Sequence, residues 1–441
     1  MYPKRERVLW WVVTLGVAAA TVSGDEAKPA CAEEGFVSIF DGKTMAGWDV
    51  FYIAPEREVP RPDAFVVQDG AFYCKGYKDY WLRYKAEKLD DFVLRLEFKL
   101  SQGANSGICI RTQDEGIPWQ TGFEVQLLDD YGKDPDVHTT GSIYDVITPM
   151  YNASRPLGKW NEMEITCAGK VVRIAVNGLK LIDADFGRLT MPLGKFKTPY
   201  SELPTTGYVT IQDHGMELWL RNIRLKKLDA EAVHRATATR ACDEASGFET
   251  ILDGQGLEGW SVYNPKGGEV SGDEWVVMED FVRCRGGKGG TYLRYEKEPL
   301  GDCVVRGEFR VAKGTNSGIV LRSAETGHPC YTGFEVQLLD DAGKRPTRRG
   351  CGAIYDVVTP MFNASRPAGQ WNRFEITTDG LLVKVVLNGW KVIDTDFGKL
   401  TAPRGKFKFA YSDLPKRGYV CFQDHGGQVD FRDIQIKRIN R

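Results

Sequence analysis

The chain has 441 residues, a formal net charge of −2 and 11% aromatic residues. A chain of this length is long enough for two or three domains, each with its own core. The near balance of charge, without a long basic run, argues against nucleic acid as a partner, because phosphate binding needs a clustered positive surface. The 48 glycines and the aromatic content favour a turn-rich all-β protein.

The N-terminus has the pattern of an export signal. A basic start (MYPKRER) precedes a short apolar run (VLWWVVTLGVAAA) and small residues (TVSG). The apolar run is short for a bilayer span, so we predict a cleaved signal peptide over residues 1–24, with an uncleaved anchor as the minor alternative. Cleavage would leave a secreted or periplasmic protein without a membrane span.

An internal repeat organises the rest of the chain. The phrases NSGI, TGFEVQLLDD and QDHG each occur twice, 211 residues apart, beginning at Asn105 and Asn316, Thr121 and Thr332, and Gln212 and Gln423. Two units of this size each need a complete core, so the repeat indicates a domain duplication. We predict copy one over 35–227, a polar linker with some helical tendency over 228–246, and copy two over 247–439.

Within each copy the local signals are those of β-structure. FVLRLEFKL and VVRGEFRV alternate as half-buried strands do. VVRIAVNGLKLID and LVKVVLNGWKVID each place Asn-Gly between strand-like runs, which is a strong hairpin signal. The regular spacing of turn residues favours a sandwich or barrel. We therefore predict two tandem antiparallel β-sandwich domains.

Strand alternation selects the first candidate site residues. In GFEVQLLDD, Glu124 and Gln126 share one face while Val125 and Leu127 share the other, and Asp129 lies at the strand end. We expect the polar pair to face a solvent-filled concavity; a plain solvated sheet face is the alternative. The second copy repeats the pattern at Glu335, Gln337 and Asp340.

The QDHG phrase supplies a second polar element. Gln212 and His214 share a face of the predicted late strand, and histidine can serve as a base, an acid or a metal ligand. A hydrogen-bonded structural histidine is an equal alternative. The counterparts in copy two are Gln423 and His425.

Further candidates follow from the same repeated phrases. Arg111 and Arg322 close the two NSGI strands and could hold an oxyanion or a sugar hydroxyl, although a surface or ion-pairing role is as plausible. Weaker binding candidates, for which turn formation is the alternative, are Tyr144, Asp145, Tyr355 and Asp356.

The ordered set of phrases resembles the 3-keto-disaccharide hydrolase family. It runs from FxxIFDGKxxxGW through NSGIxxR, GFEVQLLDD, IYDV, GxWNxxEI and NG to QDHG and a final RNIRLK or RDIQIK strand, across nearly all of both copies. The resemblance implies a concanavalin A-like jelly-roll sandwich, secreted or periplasmic placement, and cleavage of oxidised glycosides.

The acids present do not suit an ordinary retaining glycosidase. Such enzymes need two carboxylates about 5 Å apart, whereas the alternate positions here are Glu124, Gln126 and Leu128. A 3-keto sugar can be cleaved without this pair of carboxylates. Its ketone acidifies the C2 hydrogen and allows elimination of the C1 substituent followed by hydration. Glu124 or His214 could be the base, and Arg111 or a bound divalent metal ion could stabilise the oxyanion. No cofactor is certain.

Two non-enzymatic alternatives remain open. A lectin-like tandem module could bind carbohydrate on the same face, with Trp81, Trp119 and Tyr131 as a stacking platform. A structural surface protein is a weaker hypothesis. Trp119 becomes Cys330 and His138 becomes Arg349 in copy two, so the copies differ around the predicted site.

The cysteines and glycosylation sequons carry two minor expectations. Each copy could form one bridge, Cys31–Cys74 and Cys242–Cys284, although free buried thiols are slightly favoured. Cys330 and Cys351 are expected to lie too far apart to bond. The sequons at Asn152 and Asn363 are interpreted as turn chemistry.

Overall fold

The computed structural model describes residues 34–53, 61–238, 246–268, 270, 273–287 and 289–439. Copy one contains the strands β1 (Val37–Ser38), β2 (Trp48–Tyr52), β3 (Phe65–Gln68), β4 (Ala71–Cys74), β5 (Tyr80–Leu89), β6 (Phe92–Leu100), β7 (Asn105–Thr112), β8 (Phe123–Leu128), β9 (Asn161–Ala168), β10 (Val171–Val176), β11 (Leu179–Asp185), β12 (Gly207–Gln212) and β13 (Leu218–Lys227).

Copy two contains the corresponding strands β14 (Glu249–Leu252), β15 (Trp260–Tyr263), β16 (Trp275–Val277), β17 (Val282–Cys284), β18 (Tyr292–Tyr295), β19 (Cys303–Val311), β20 (Asn316–Ser323), β21 (Phe334–Leu339), β22 (Asn372–Asp379), β23 (Leu382–Leu387), β24 (Trp390–Asp396), β25 (Tyr419–Gln423) and β26 (Val429–Arg438). The helices of the described residues are α1 (Pro118–Thr121), α2 (Ala230–Thr237) and α3 (Pro329–Thr332), with short 3-10 turns at Phe186–Arg188, Tyr200–Glu202, Phe397–Lys399 and Tyr411–Asp413.

Each copy is a sandwich of an eight-stranded and a five-stranded antiparallel sheet. In copy one the larger sheet has the order β11-β10-β9-β6-β13-β4-β3, with β1 also paired to β13, and the smaller sheet has the order β2-β5-β12-β7-β8. Copy two repeats both orders with its equivalent strands. The prediction of two tandem antiparallel sandwiches with the same strand order is confirmed.

The core of each sandwich lies between its two sheets. Every second residue of β6, from Phe92 to Leu100, is buried, as the alternating sequence predicted. The smaller sheet contributes Ile108, Val125 and Ile211 to the same core. Full burial of such a side chain is worth about 1.5–3 kcal/mol. The opposite face of the smaller sheet is therefore left for polar groups.

The predicted Asn-Gly hairpins are present. Asn177 and Gly178 join β10 to β11 with φ angles of 51° and 79°, and Asn388 and Gly389 repeat this turn with 50° and 81°. Two consecutive positive φ angles are what a tight hairpin turn requires, and Asn-Gly adopts them at little cost.

The two sandwiches lie within one compact unit, Gly35–Arg441, and meet through equivalent residues. Thr148 donates its backbone amide to the carbonyl of Met361 at 3.3 Å, and Thr359 donates to the carbonyl of Met150 at 3.1 Å. Because each of these residues has its counterpart 211 positions away, the contact is self-complementary, like the interface of a two-fold dimer.

The structure describes eight cysteines as free thiols and gives the contacts of the Asn152 sequon. Cys74 and Cys284 are buried free thiols, and so are Cys330 and Cys351. Cys31 and Cys242 lie outside the described residues. The free thiols of Cys74 and Cys284 contradict the two bridges and agree with the slightly favoured expectation of buried thiols. The side-chain amide of Asn152 donates to the carbonyl of Asp130 at 2.6 Å, which agrees with the turn interpretation.

The segments that flank the sandwiches are only partly described. The linker contains α2, which Asp229 caps by accepting from the amide of Ala232 at 2.7 Å, while residues 239–245 lie outside the described residues. The signal peptide predicted over residues 1–24 also lies outside them. Among the helices that the structure does describe, none is long and apolar enough to cross a membrane.

Candidate active site

Two rows of side chains cross the outer face of the five-stranded sheet in copy one. Cross-strand pairing defines the first row, which consists of Glu124, Cys109, Thr210, Arg83 and Asp49. The second row consists of Gln126, Gly107, Gln212, Trp81 and Phe51. The rows place Glu124, Gln126 and Gln212 on one face of this sheet, and strand alternation predicted the shared face of the first two. All three side chains are buried, so the expected solvent-filled concavity is not what they face.

Glu124 is a buried carboxyl group with no hydrogen bond to any described residue. Its exposed fraction is only 4%. Burial raises its pKa to about 7, although the charge of Lys195 acts in the opposite direction. A carboxyl group with this pKa is ionised in about half of the molecules at neutral pH, so it can both accept and return a proton.

Several buried polar atoms around Glu124 lack a hydrogen-bond partner among the described residues. They are Trp81 Nε1, Gln126 Oε1, Gln212 Oε1 and the Tyr200 hydroxyl oxygen. Burial and then the charge of Glu124 raise the pKa of Tyr200, which places this hydroxyl near the carboxyl group. An unpaired buried polar group costs about 1–3 kcal/mol, and a ligand rich in hydroxyl groups would relieve that cost.

An aromatic and cationic rim borders this cluster. The Lys195 ammonium group lies 4.0 Å from the centre of the Tyr144 ring and 4.3 Å from that of Trp119. Tyr144 also donates its backbone amide to the carbonyl of Glu124 at 3.0 Å, which fixes the rim to β8. Asp145 accepts from the amide of Lys195 at 2.7 Å and lies 3.2 Å from His138 Nε2.

Comparison with known families shows the family to which the chain belongs. The model of the 3-keto-alpha-glucoside-1,2-lyase-like domain matches the chain twice, at residues 35–226 and 247–437. The chain belongs to this family. Both copies are 3-keto-alpha-glucoside-1,2-lyase-like domains, and the resemblance seen in the sequence is confirmed.

Individual relatives agree with the family. A 3-keto-disaccharide hydrolase of Bacteroides thetaiotaomicron is 27% identical over 236 residues, which are 44% of this chain and 79% of that protein. Two crystal structures of candidate glycosyl hydrolases from Parabacteroides distasonis show 25% and 24% identity and TM-scores of 0.39 and 0.38; each covers 44% of this chain, with 95% and 99% of the other chain matched. The family and the named relative support a hydrolase.

The family's QDHG phrase positions its residues unequally. Gln212 is buried at the end of β12, whereas His214 is exposed beyond the strand, as is His425 in copy two. Asp213 points away from the site and accepts from the amides of Tyr77 and Lys78 at 2.9 and 3.0 Å. The convergence of His214 with Glu124 stays a prediction. In copy two, burial raises the pKa of Glu335, and the charge of His425 is among the smaller effects that oppose this rise.

Arg111 does not join the site, and this part of the prediction is wrong. Its guanidinium donates to the carbonyls of Gly169 and Asp90, both at 2.8 Å, and lies 3.6 Å from Asp91. These partners lie in the turns that close β9–β10 and β5–β6. Arg111 therefore ties two turns together instead of facing the concave side.

Arg322 and the strand-end aspartates also have structural partners. Arg322 donates to the carbonyl of Gly380 at 2.8 Å and pairs with Asp302 at 3.2 Å. Asp129 accepts from the amide of Gly103 at 2.9 Å, and Asp340 accepts from the amide of Gly314 at the same distance. The two aspartate contacts hold the loops before β7 and β20. They give no indication that these aspartates bind a sugar.

Copy two repeats the family site with several exchanges. Its members are Glu335, Gln337, Gln423, Tyr292, Tyr355, Asp356, Lys406 and Tyr411. Lys406 Nζ lies 4.3 Å from the ring centre of Tyr355, as Lys195 does over Tyr144. Arg349 replaces His138 and lies 2.7 Å from Asp356, so a cationic partner for the aspartate is kept.

The described residues contain no group of three or more His, Cys, Asp or Glu side chains that could hold a metal ion. The divalent ion considered from the sequence therefore has no fitting ligand set in this part of the chain.

Lys195 and Tyr200 are the two site residues that the sequence reasoning missed. Both belong to phrases that recur at the offset of 211, GKFK from Gly194 and Gly405, and Tyr-Ser at Tyr200 and Tyr411. A search restricted to short repeated phrases would have found them. They were missed because neither phrase has the alternation of a strand.

Proposed function

We propose that copy one cleaves 3-keto-glycosides, with Glu124 as the base that removes the hydrogen on C2. The family description names a 1,2-lyase and the Bacteroides relative is named a 3-keto-disaccharide hydrolase. The observation that carries the proposal is a buried carboxyl group that has a pKa of about 7 and no hydrogen bond to a described residue. Buried polar atoms that also lack a partner among these residues lie beside it.

The reaction proceeds in two balanced stages. Glu124 takes the proton from C2, and the electron pair of that bond forms an enolate with the C3 ketone. Re-formation of the ketone creates the C1–C2 double bond and expels the C1 substituent, whose oxygen takes up the proton held by Glu124. Water then adds across the double bond, hydroxyl to C1 and hydrogen to C2, which completes a net hydrolysis.

Charge that develops on the C3 oxygen needs donors in the site. Trp81 Nε1 and the Tyr200 hydroxyl are buried donors without a partner among the described residues. Lys195 adds a positive charge at the rim. Burial raises the pKa of Glu124, and this charge opposes the rise. Preorganised donors of this kind stabilise an oxyanion without reorganisation during the reaction. These residues take the role first considered for Arg111.

Trp119 is placed to orient the sugar ring. Its ring is half-buried, lies beneath Lys195 and meets Phe196 edge-on at 5.9 Å between centres. Sugar rings pack their apolar faces on such aromatic surfaces, since burying a CH group there removes apolar area from water. A lectin could use the same platform, but it would not need a carboxyl group with a raised pKa.

The test is turnover of 3-keto-trehalose and 3-keto-lactose by the full chain, with the unoxidised disaccharides as controls. We expect release of the free sugar from the ketones alone and exchange of deuterium from D₂O into C2 of the product. E124Q combined with E335Q, which removes the glutamate of both copies, should lower turnover by about 100-fold or more. Turnover without C2 exchange would overturn the elimination route, and binding of all four sugars without release would indicate a lectin.

We also propose that the mature protein is exported. The basic, apolar and small-residue order of residues 1–24 supports this placement. N-terminal sequencing of protein secreted by the native host should begin after residue 24. An intact Met1 in the mature protein would contradict cleavage.

A further inference from the structure

The two copies differ at six positions around the buried glutamate. Copy one has Trp81, Cys109, Ile117, Trp119, Gln120 and Thr210, where copy two has Tyr292, Val320, His328, Cys330, Tyr331 and Cys421. These six positions lie on the outer face of β5, β7 and β12 and in or directly before the short helix α1, and the exchange of His138 for Arg349 adds a further difference at the rim. The rest of the repeated phrases keep the glutamate, both glutamines and the lysine.

The aromatic platform of copy two is retained but shifted by one residue. Tyr331 meets Phe407 edge-on at 5.9 Å between ring centres, the same distance as Trp119 to Phe196 in copy one. Lys406 Nζ lies 5.5 Å from the Tyr331 ring. Tyr331 is 49% exposed, so its face is accessible from solvent. A sugar ring can therefore still pack at the rim.

Cys330, at the position of Trp119, turns inward instead. Its sulfur lies 3.2 Å from the Tyr292 hydroxyl and 3.4 Å from Gln423 Nε2. The same thiol hydrogen-bonds the carboxyl group of Glu335. Cys330 thus engages three groups whose counterparts in copy one, Trp81 Nε1, Gln212 and Glu124, have no such partner.

The side chain of Cys330 belongs to a small apolar cluster. Tyr292, Val320, Cys330 and Cys421 are all at most 2% exposed and pack against one another, with Tyr263 and Tyr419 at the margin. Among the described residues, the buried polar atoms of this site that lack a hydrogen-bond partner in copy two are Gln423 Oε1, the Tyr411 hydroxyl oxygen and His328 Nδ1.

We infer that cleavage is confined to copy one, and that copy two is a second sugar site that binds a ring without cleaving it. This inference rests on the proposed function. In copy two Cys330 contacts the base and also engages the hydroxyl of Tyr292, the donor equivalent to Trp81, so proton removal lacks a free base and one of its donors. The platform of Tyr331 and the unpaired Gln423 and Tyr411 atoms keep the capacity to bind.

The first test compares matched variants of the two glutamates in the full chain with 3-keto-trehalose as substrate. If both copies cleave, E124Q retains about half of the wild-type turnover, and E335Q loses a similar part. We expect E124Q to fall by about 100-fold or more, a loss that E335Q does not match. Equal losses in the two variants would overturn the inference.

The second test counts sites by calorimetric titration of the E124Q chain with 3-keto-trehalose. We expect two equivalents per chain, and one equivalent after Y331A is added. The matched variant is W119A in the E124Q chain, which should remove the other equivalent. A single equivalent in E124Q that Y331A does not change would overturn binding by copy two.

The two proposals fail in different ways. Absence of turnover by the wild-type chain on every 3-keto-glycoside would overturn the proposed function and the assignment of cleavage to copy one. Wild-type turnover that is halved in each glutamate variant would leave the proposed function intact and overturn only the division between copies. Circular dichroism of each variant checks that the sandwiches remain folded.

Discussion

The carboxyl group of Glu124 lies directly over Gly107 on the neighbouring strand. A Cβ atom at position 107 would lie 2.1 Å from Oε1 and 2.6 Å from Cγ of Glu124. Glu335 and Gly318 repeat this contact, with 2.3 Å to Oε1 and 2.8 Å to Cγ. Glycine is required here by the side chain that crosses it, since neither glycine has a positive φ.

Gly107→Ala should therefore displace the base. The new methyl group cannot fit, so Glu124 must rotate away from its position, and a shift of about 1 Å can cost about 100-fold in rate. Overpacking should also lower the free energy of unfolding by about 1–3 kcal/mol. Turnover of 3-keto-trehalose and urea unfolding measure the two effects.

Gly318→Ala is the matched control for this change. It creates the same clash beneath Glu335, so the expected loss of stability is similar. A loss of turnover equal to that of Gly107→Ala would contradict the assignment of cleavage to copy one. Full activity of Gly107→Ala would show that the position of Glu124 is not needed.

The acid limb of the pH profile should report Glu124. The base acts in its ionised form, and burial raises its pKa to about 7. We expect kcat/KM for 3-keto-trehalose to rise with pH and to reach half of its maximum near pH 7. A limb near pH 4.5, the ordinary value for a glutamate, would exclude Glu124 as the titrating base.

The same shift makes stability depend on pH. Between about pH 4.5 and 7 the folded chain holds a proton on Glu124 that the unfolded chain has lost, so the free energy of unfolding falls as pH rises through this window. The full difference is about 3 kcal/mol. E124Q lacks this ionisation and should gain stability relative to wild type from pH 4.5 to 8. Urea unfolding at a series of pH values measures the difference, and a constant difference would contradict the raised pKa.

Lys195 should affect the pH at which the acid limb of kcat/KM reaches half of its maximum. Its charge opposes the effect of burial on the pKa of Glu124. Lys195→Met removes the charge, so the acid limb of kcat/KM should move to higher pH. Lys195→Arg keeps the charge and serves as the control, with a limb near that of wild type. A shift to lower pH in Lys195→Met would mean that the ammonium group does not act on Glu124.

Sequence alternation predicted one part of the site and failed at another for a specific reason. Glu124 and Gln126 lie in a regular strand, so their shared face followed from the pattern of β8. Arg111 has the same parity as Gly107 and Cys109 on β7, yet its φ of 58° turns its side chain away from their face. A positive φ at a residue other than glycine or asparagine leaves no signal in the sequence.

The repeat predicted the topology more completely than the site. Equal spacing of the two sets of phrases implies equal strand order, which the sheets show. No repeated phrase predicted the orientation of the Cys330 side chain. Cys330 is much smaller than Trp119, and the sequence does not show how the space left by the indole ring is filled. In the structure the thiol points inward to the Tyr292 hydroxyl, and Tyr331 packs against Phe407 at the rim.

Arg111→Met should test the structural role of this arginine. The variant removes the buried guanidinium and its two charge-assisted hydrogen bonds to backbone carbonyls, so the free energy of unfolding should fall by about 3 kcal/mol. Turnover per folded molecule should be retained, since the guanidinium faces the turns. Arg235→Met, in the exposed helix α2, is the control and should change stability by less than about 0.5 kcal/mol. A selective loss of kcat at unchanged stability would restore Arg111 to the site.

Charges across the contact between the copies provide the last prediction. Lys180 Nζ lies 2.6 Å from Asp394 of the other copy, and Lys391 Nζ lies 3.0 Å from Asp183. Although burial opposes it, the two lysines hold the pKa of Asp394 below its ordinary value. A carboxyl group with a lowered pKa stabilises the fold above its unfolded pKa, and that contribution is lost as pH falls through the folded value.

A double-mutant cycle on Lys180→Met and Asp394→Asn should measure this contact. Both side chains are partly exposed, so we expect a coupling free energy of about 1 kcal/mol by urea unfolding at pH 7. The coupling should decrease in 1 M salt and vanish at low pH, where Asp394 is protonated. The exposed pair Arg235 and Glu231 within α2 is the control and should give a smaller value, because both of its partners are well solvated. A coupling near zero at pH 7 and low salt would mean that the backbone bonds between Thr148 and Met361, and between Thr359 and Met150, hold the copies together without help from the charges.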